Sequence, residues 1–308
     1  MLEYRPLSEL VTVMEFTKKN LLELRKLSIE ELSKYYMQKR MWEYNNGVPL
    51  KNIIFRNKIH NLLVLIIKID RLLSKEGLEV INDARIKTDN AKIYACTHIG
   101  GNDIHRTFEA IKDPAYLFLG DPKVIYRDAA GLLLFLNGVI PLETNNKDDR
   151  KIAKYRSIEL LNNGGNLLIY PEGAWNITQN LPVMKLYDGA SVMAQQTGAD
   201  IVPIAIEQYR KNFLVSIGQN IQMSQVEGIK TKELTALLRD KLATEKYKVW
   251  DYNGVEKRKN VSDISLERFQ EEIVDRCGYG FTIQDVIDTM YHDKNEVKSE
   301  DVFSFQKK

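Results

Sequence analysis

Hydrophobic and polar positions along the chain follow two different periods. Up to about residue 85, leucine and isoleucine recur every three or four residues among many lysines and glutamates, which predicts helices over 7–85. The clearest helix covers 56–75, and a helix of this kind packs on a protein core or lies in a membrane surface. One face carries Ile59, Leu62, Leu63, Ile66, Ile69 and Leu73, and the opposite face carries His60, Asn61, Lys68 and Arg71.

From about residue 91 short apolar runs alternate with amphipathic segments. The pattern predicts helices over 102–112, 148–162 and 188–197, and strands over 92–97, 116–119, 124–126, 166–170 and 201–206, with a further apolar run over 132–142. This alternation predicts an α/β fold with a mostly parallel central sheet flanked by helices. Beyond residue 225 the pattern is helical and highly charged. We therefore expect a helical N-terminal segment (1–85), an α/β domain (86–225) and a helical C-terminal extension (226–308).

Composition narrows the class of protein. Of the 308 residues, 44% are hydrophobic and 28% are charged, as in ordinary globular proteins, and the net charge of +2 gives no reason to expect a nucleic-acid partner. Cys96 and Cys277 lack the spacing of a metal site. Residues 1–10 are too polar for a signal peptide, and no apolar run approaches the roughly 20 residues of a spanning helix. We expect a cytoplasmic protein that contacts membranes only at their surface.

The segment after the first strand of the α/β region carries a histidine and an aspartate five residues apart. On one straight helix His98 and Asp103 would not meet, but Gly100 and Gly101 permit a turn between the strand and the next helix. The carboxylate could then hold one imidazole nitrogen and leave the other free to take a proton from an alcohol. A capping or core histidine is the alternative interpretation of this pattern.

A second segment, Tyr-Pro-Glu-Gly-Ala-Trp at 170–175, also follows a predicted strand. Ligands of open α/β sheets bind at the carboxyl ends of the strands, so both segments should border one crevice. The glycine permits close backbone approach, and the glutamate could bind acceptor hydroxyls or orient the loop. A simple turn with a solvated glutamate is the alternative interpretation.

Taken in order, these segments resemble the glycerolipid acyltransferases, typified by bacterial lysophosphatidate acyltransferase (PlsC-like). The histidine, the aspartate five residues later and the Pro-Glu-Gly turn match two of the family's blocks. Two further blocks match in the same order, Gly-Val-Ile-Pro-Leu-Glu at 138–143 and Val-Pro-Ile-Ala-Ile at 202–206. The resemblance covers about residues 85–220.

The resemblance implies an O-acyltransferase of lipid metabolism and phospholipid biosynthesis. Its donor would be acyl-CoA or acyl-carrier protein, and its acceptor a hydroxyl of a lysophospholipid-like or other lipid or glycolipid. His98 would act as the general base and Asp103 would orient it, without a bound cofactor or a metal. The membrane surface is a further implied partner, with the protein peripheral at the inner face. The expected acceptor-binding residues are Gly138, Thr144, Pro171, Glu172, Gly173 and Trp175.

Three positions depart from the family pattern. Thr97 stands where the family usually has asparagine, and Thr144 and Trp175 stand where it has the arginines used around the acceptor phosphate. Because each charge-assisted hydrogen bond is worth about 1.5–3 kcal/mol, their loss predicts a non-standard acceptor unless other cations replace them. Trp175 would stack on a sugar, pack along an acyl chain or serve as a structural aromatic. The candidate replacement cations are Arg106, Lys123, Arg127, Lys147, Arg150 and Lys185.

Two other functions stay open at the level of the sequence. One is a non-catalytic membrane- or lipid-binding protein on the same fold, in which the three departures would be marks of drift. The retained His98 and Asp103 count against it. The other is a thioester or ester hydrolase that uses the same base, because only the access of an acceptor alcohol separates transfer from hydrolysis.

Overall fold

The computed structural model of the chain describes residues 16–50, 53–126, 129–178, 181–254, 264–277 and 280–291. Residues 1–10, for which no signal peptide is expected, and the candidate cation Arg127 lie outside them. The helices are α1 (Leu21–Leu24), α2 (Ile29–Asn45), α3 (Ile53–Leu73), α4 (Asp103–Ile111), α5 (Ala129–Asn137), α6 (Lys147–Asn162), α7 (Gly189–Thr197), α8 (Thr231–Asn253), α9 (Ile264–Cys277) and α10 (Ile283–Thr289). The strands are β1 (Gly77–Asp83), β2 (Lys92–Cys96), β3 (Tyr116–Gly120), β4 (Val139–Leu142), β5 (Leu167–Ile169), β6 (Asp200–Tyr209) and β7 (Asn212–Ile217).

These strands form one seven-stranded sheet in the order β1-β7-β6-β2-β5-β3-β4. The five strands from β6 to β4 are mutually parallel, whereas β7 is antiparallel to β6 and pairs with β1 in parallel. Along β2, Ile93 and Ala95 pack with α6, α7 and α8, while Tyr94 and Cys96 pack with α3, α4 and α5 on the other face. The predicted α/β fold with a mostly parallel sheet is confirmed.

The parallel strands bring the predicted site segments to one edge of the sheet. The chain leaves the carboxyl end of β2 at Thr97, the end of β5 at Tyr170 and the end of β4 at Glu143. Because parallel strands point the same way, all three exits lie on the same side of the sheet. The expected crevice is therefore bordered by residues from three separate stretches of sequence.

The prediction of helix throughout 7–85 is wrong for residues 77–83, which form β1 at the edge of the sheet. Lys75 adopts a left-handed φ of 54° after the end of α3 and turns the chain. The strand lies at the edge of the sheet without fully buried side chains, and its partner β7 lies far along the sequence, so the local pattern carries little sign of it.

The strand predicted over 124–126 is a helix in the structure. Residues 122–126 form a 3-10 helix, since Pro122 presets a helical φ at its first position. The apolar run over 132–142, for which no class was predicted, divides at Gly138, with α5 before it and β4 after it. A continuous apolar run has no period that separates a buried helix from a strand.

Helix α3 packs on the domain through one edge of its predicted apolar face and part of its predicted polar face. His60, Leu63 and Ile67 are buried, and Arg71 pairs with Glu109 of α4 at 2.9 Å. Most of the predicted apolar face is exposed, as is an aromatic ring near the helix start. The exposed apolar side chains of the helix are Phe55, Leu62, Leu65, Ile66, Ile69, Leu72 and Leu73. Among the described residues no helix is both long and apolar enough to cross a membrane.

The C-terminal helices are attached to the sheet domain at two places. Leu234, Leu238 and Leu242 of α8 belong to the core that also contains α6 and α7. Farther along, Ile273 of α9 and Val286 of α10 are buried in a separate apolar cluster on the segment that follows β5. The extension therefore reaches the side of the sheet at which the predicted site lies.

Candidate active site

The turn after β2 brings His98 and Asp103 together as predicted. Gly100 and Gly101 have φ values of 78° and 62°, in the left-handed region that favours glycine, and the chain then enters α4 at Asp103. Oδ2 of Asp103 accepts hydrogen bonds from the backbone N–H of Ile99 at 2.9 Å and of Gly100 at 3.0 Å. The same oxygen lies 2.7 Å from Nδ1 of His98. One carboxylate oxygen thus fixes both the turn and the ring.

This arrangement gives His98 the geometry of a general base. Because Nδ1 faces the carboxylate, it carries the proton of the neutral ring, and Nε2 keeps its lone pair for a substrate. Asp103 is buried, whereas 16% of the His98 side chain is exposed. The ring of Tyr170 lies against the imidazole, with centroids 4.2 Å apart. Burial raises the pKa of the Tyr170 hydroxyl well above its usual value of 10.0, so this group supports the ring without exchanging a proton.

Glu172 joins the two site segments but does not face a substrate. The side chain is buried, and its two oxygens accept backbone N–H bonds from His98 at 3.0 Å and from Met184 at 2.8 Å. Burial raises the pKa of this carboxyl, and the two hydrogen bonds partly oppose that effect. Its position corrects the prediction of acceptor binding: with both oxygens already bonded, Glu172 holds the backbone of His98 in place.

The other residues of the Pro-Glu-Gly turn also shape the backbone. Pro171 is buried, and its carbonyl accepts the N–H of Tyr187 at 2.9 Å. Gly173 has a φ of 74°, and a Cβ there would lie 2.4 Å from a ring carbon of Tyr187. Trp175 is half-buried, with its ring edge-on to that of His98 at 6.2 Å between centroids. Of the predicted acceptor-binding residues, Trp175 thus has its ring beside that of His98, which is partly exposed.

The second predicted block divides between the two ends of β4. Thr144 lies at the carboxyl edge, where its hydroxyl donates to Asp121 at 3.0 Å. Because β4 is three strands away from β2 and neighbouring strands lie about 4.8 Å apart, Thr144 borders the far side of any crevice at His98. Gly138 lies at the opposite end, where a Cβ would meet the ring of Tyr116 at 2.7 Å. The prediction that Gly138 binds the acceptor is therefore corrected to a packing role.

With this geometry in view, the comparisons with known proteins can be set beside it. Residues 77–207 match the family model described as Acyltransferase. The crystal structure of the 1-acyl-sn-glycerophosphate (LPA) acyltransferase PlsC from Thermotoga maritima has a similar fold, with a TM-score of 0.52 and 14% sequence identity. That match covers 78% of this chain and 98% of the other. The predicted resemblance to PlsC-like acyltransferases is confirmed. The family match also supports an enzyme that transfers acyl groups.

The candidate replacement cations differ in their burial and in their partners. Arg106 is buried in α4 and pairs with Glu76 at 2.6 Å, which corrects its prediction as an acceptor ligand. Lys123 and Lys147 are exposed. Arg150 is exposed and donates to the carbonyl of Thr144, and Lys185 lies 5.6 Å from the ring centroid of Tyr291. Arg150 and Lys185 are thus the two of these cations whose contacts lie on the border of the site.

Two contacts at the candidate site were not predicted from the sequence. Asn176 donates its backbone N–H to the carbonyl of His98 at 2.7 Å, and the Thr97 hydroxyl accepts the backbone N–H of Ile206 at 3.1 Å. The first is a backbone contact, which carries no residue signal. The second uses the hydroxyl that Thr97 has where the family usually has asparagine. Among the described residues no group of three or more His, Cys, Asp or Glu side chains could hold a metal ion.

Proposed function

We propose that this protein moves a fatty-acyl group from an acyl thioester, acyl-CoA or acyl-carrier protein, onto a hydroxyl of a lipid acceptor. The observation that carries the proposal is the 2.7 Å contact between Nδ1 of His98 and Oδ2 of Asp103, which leaves Nε2 for the substrate. The match of residues 77–207 to the acyltransferase family supports the reaction class. The Thermotoga protein supports a lipid acceptor, since it is an acyltransferase of 1-acyl-sn-glycerophosphate.

The reaction follows from the roles of these two side chains. The acceptor hydroxyl gives its proton to Nε2 of His98 while its oxygen attacks the thioester carbonyl carbon and forms the new C–O bond. Asp103 stabilises the imidazolium that results. The tetrahedral intermediate then expels the thiolate by breaking the C–S bond, and the imidazolium returns its proton to that sulfur. The products are an ester and a free thiol, and no protein side chain is acylated.

The acceptor in this proposal is a lipid hydroxyl compound without a phosphomonoester, such as a glycolipid or a neutral lipid. Thr144 and Trp175 supply no positive charge where family members use arginine. The partner of the Thr144 hydroxyl is the Asp121 carboxylate, whose negative charge disfavours a phosphate at that edge of the sheet. A sugar or glycerol hydroxyl could donate to the same carboxylate.

The reaction can be tested with purified protein, palmitoyl-CoA and a panel of acceptors that includes monooleoylglycerol, a glycolipid and lysophosphatidate. We expect ester formation that falls by roughly 10²–10⁴-fold in His98→Ala, because the general base is lost. His105→Gln on α4 serves as the matched control and should retain activity. Free fatty acid as the only product would make the protein a hydrolase. Lysophosphatidate as the best acceptor would contradict the non-phosphate acceptor.

The acceptor would be taken from the inner face of the membrane, with the protein docked through α3. Seven exposed apolar side chains line one face of this helix, and Lys58 and Lys68 are exposed beside them. We expect Ile66→Glu and Ile69→Glu each to lower binding to vesicles that contain phosphatidylglycerol by about tenfold, since each buries a charge in place of an apolar chain. Flotation of the vesicles measures binding, and Tyr247→Glu on α8 is the matched control. Unchanged flotation of both α3 variants would contradict the docking surface.

A further inference from the structure

Helices α9 and α10 cover the segment of chain next to the catalytic histidine. They pack on residues 174–184 through an apolar cluster, whose half-buried members are Trp175, Ile283, Ile287 and Met290. The buried members are Ala174, Ile177, Met184, Ile273, Val274 and Val286. Met184 also donates its backbone N–H to Glu172, and Glu172 accepts the backbone N–H of His98 as well. The cluster therefore adjoins the side chain that holds the backbone of His98. The family match ends at residue 207, so this covering lies outside the matched residues.

Two aromatic rings extend from the base to this cluster. Trp175 stands edge-on to His98 with centroids 6.2 Å apart, and Phe281 stands edge-on to Trp175 at 5.6 Å. Both Trp175 and Phe281 are half-buried, whereas the residues beneath them are buried. Both rings therefore leave some apolar surface accessible, and the ring of Trp175 lies beside the partly exposed His98.

A few polar bonds hold the helices in this position. The Tyr187 hydroxyl donates to the carbonyl of Thr289 at 3.2 Å, and the Gln270 amide donates to the carbonyl of Ile177 at 3.1 Å. The ring of Tyr187 meets that of Tyr291 edge-on at 5.0 Å. The ring of Tyr187 also lies close against Gly173, where it leaves no room for a Cβ. Tyr187 therefore contacts both the Pro-Glu-Gly turn and α10.

We infer that Trp175 and Phe281 form an apolar wall that binds the alkyl chain of a substrate close to its reacting carbon or oxygen. Phe281 is then a specificity-determining residue, supplied by the C-terminal extension. This inference rests on the proposed acyl transfer. The reacting carbonyl carbon and hydroxyl oxygen must lie within about 3.5 Å of each other, beside Nε2 of His98. An alkyl chain that leaves this point along the wall contacts Trp175 first and Phe281 next.

The wall can be tested with Phe281→Ala in the full chain. Phe269→Ala is the matched control, since Phe269 lies on α9, is exposed and borders Gln208 and Arg210 instead of the cluster. For a chain bound along the wall, we expect kcat/KM for palmitoyl-CoA to fall about tenfold and that for acetyl-CoA, whose acyl group ends before Phe281, to change little. Phe281→Leu, which keeps an apolar side chain, should restore most of the loss and shows that the fold is intact.

The same kinetics separate the donor chain from the acceptor chain. If the wall binds the donor, the dependence on acyl-CoA length flattens while the KM of the acceptor stays the same. If it binds the acceptor, the KM values of monooleoylglycerol and its short-chain analogue converge instead. An equal fall in kcat for every substrate, or no change in Phe281→Ala, would overturn the wall.

A binding measurement keeps this test independent of turnover. In His98→Ala protein, which lacks the base, the affinities for palmitoyl-CoA and for monooleoylglycerol are measured through tryptophan fluorescence, with and without Phe281→Ala. Weaker binding of one of the two probes supports the wall, even if the wild-type protein shows no acyl transfer and the proposed function fails. If Phe281→Ala leaves the affinities for both probes unchanged, the wall is overturned, even if His98-dependent transfer is found.

Discussion

The turn that carries His98 and Asp103 (residues 97–103) and the rim beside it (residues 171–178 and 181–187 with α9 and α10) are held together mainly by different kinds of interaction. In the turn, Oδ2 of Asp103 gathers the N–H groups of Ile99 and Gly100 and the ring of His98 within 3.0 Å. In the rim, apolar and aromatic contacts dominate. Hydrogen bonds fix a position sharply, whereas apolar packing tolerates exchanges of similar volume. The proton-transfer geometry can therefore stay constant while the substrate-facing surface changes.

The largest expected effect comes from removing the charge in the turn and keeping its bonds. In the described residues Oδ1 of Asp103 has no hydrogen-bond partner, so Asp103→Asn can place its amide nitrogen there and keep an oxygen at the Oδ2 position. We expect kcat to fall by about 10³-fold, because the imidazolium loses its counter-charge. Steady-state kinetics measure the fall, and circular dichroism checks the fold.

Asp113→Asn, at the other end of α4, is the matched control for this substitution. Asp113 accepts from the hydroxyl of Tyr94 and does not contact the turn. A kcat close to that of the wild type in Asp103→Asn would contradict the role of the pair.

A smaller effect is expected at Glu172, which ties the rim to the turn. A glutamine can offer only one acceptor oxygen, so Glu172→Gln loses the bond to the N–H of His98 or of Met184. We expect kcat to fall roughly 10–100-fold through displacement of the base. A loss of binding with unchanged kcat would instead place Glu172 at the acceptor.

The stability of the same variant should depend on pH in a defined direction. Because burial raises the pKa of Glu172 in the folded state above its usual 4.5, the folded protein holds this proton more tightly than the unfolded chain does. The contribution of Glu172 to the free energy of unfolding is therefore largest at low pH. It declines as the pH rises from 4.5 through the raised pKa. Urea unfolding at several pH values should show this decline in the wild type and its loss in Glu172→Gln.

The smallest effect concerns the packing of the rim alone. Gly173 and Gly164 have φ values of 74° and 76°, but a Cβ meets Tyr187 only at Gly173 and finds open space at Gly164. We expect Gly164→Ala to cost about 1–2 kcal/mol of unfolding free energy from its backbone alone. Gly173→Ala should cost more, because Tyr187 must also move away from α10. Equal costs in thermal unfolding would show that this contact contributes nothing.

Much of the turn could be predicted because its signals are local in sequence. His98, Asp103 and the two glycines lie within six positions, directly after a strand with a clear apolar pattern. For Glu172 the sequence left two directions open, toward an acceptor or toward the loop, and could not choose between them. Whether a carboxylate at a strand end faces a ligand or a backbone depends on Met184, which no spacing rule connects to it.

The missed parts of the fold depend on distant partners. The β6–β7 hairpin turns at Arg210 with a φ of 56°, where a glycine or asparagine would have signalled the turn. The buried face of α3 could not be predicted because its polar residues His60 and Arg71 have partners at Asn137 and Glu109. A buried polar side chain with a distant partner cannot be distinguished from a solvated one by periodicity alone.

The pairing of β1 with β7 also affects the order of folding during synthesis. Asn82 of β1 bonds the carbonyl of Ile217, 135 residues later in the chain. At roughly 5–20 residues per second, a ribosome takes about 7–30 s to supply that partner. Helix α3 needs a shorter stretch of chain, because its buried residues Leu63 and Ile67 pack with α4 and α5, which end at residues 111 and 137. The edge strand β1 is therefore still without its sheet partner when the helices that cover the buried face of α3 have already been made.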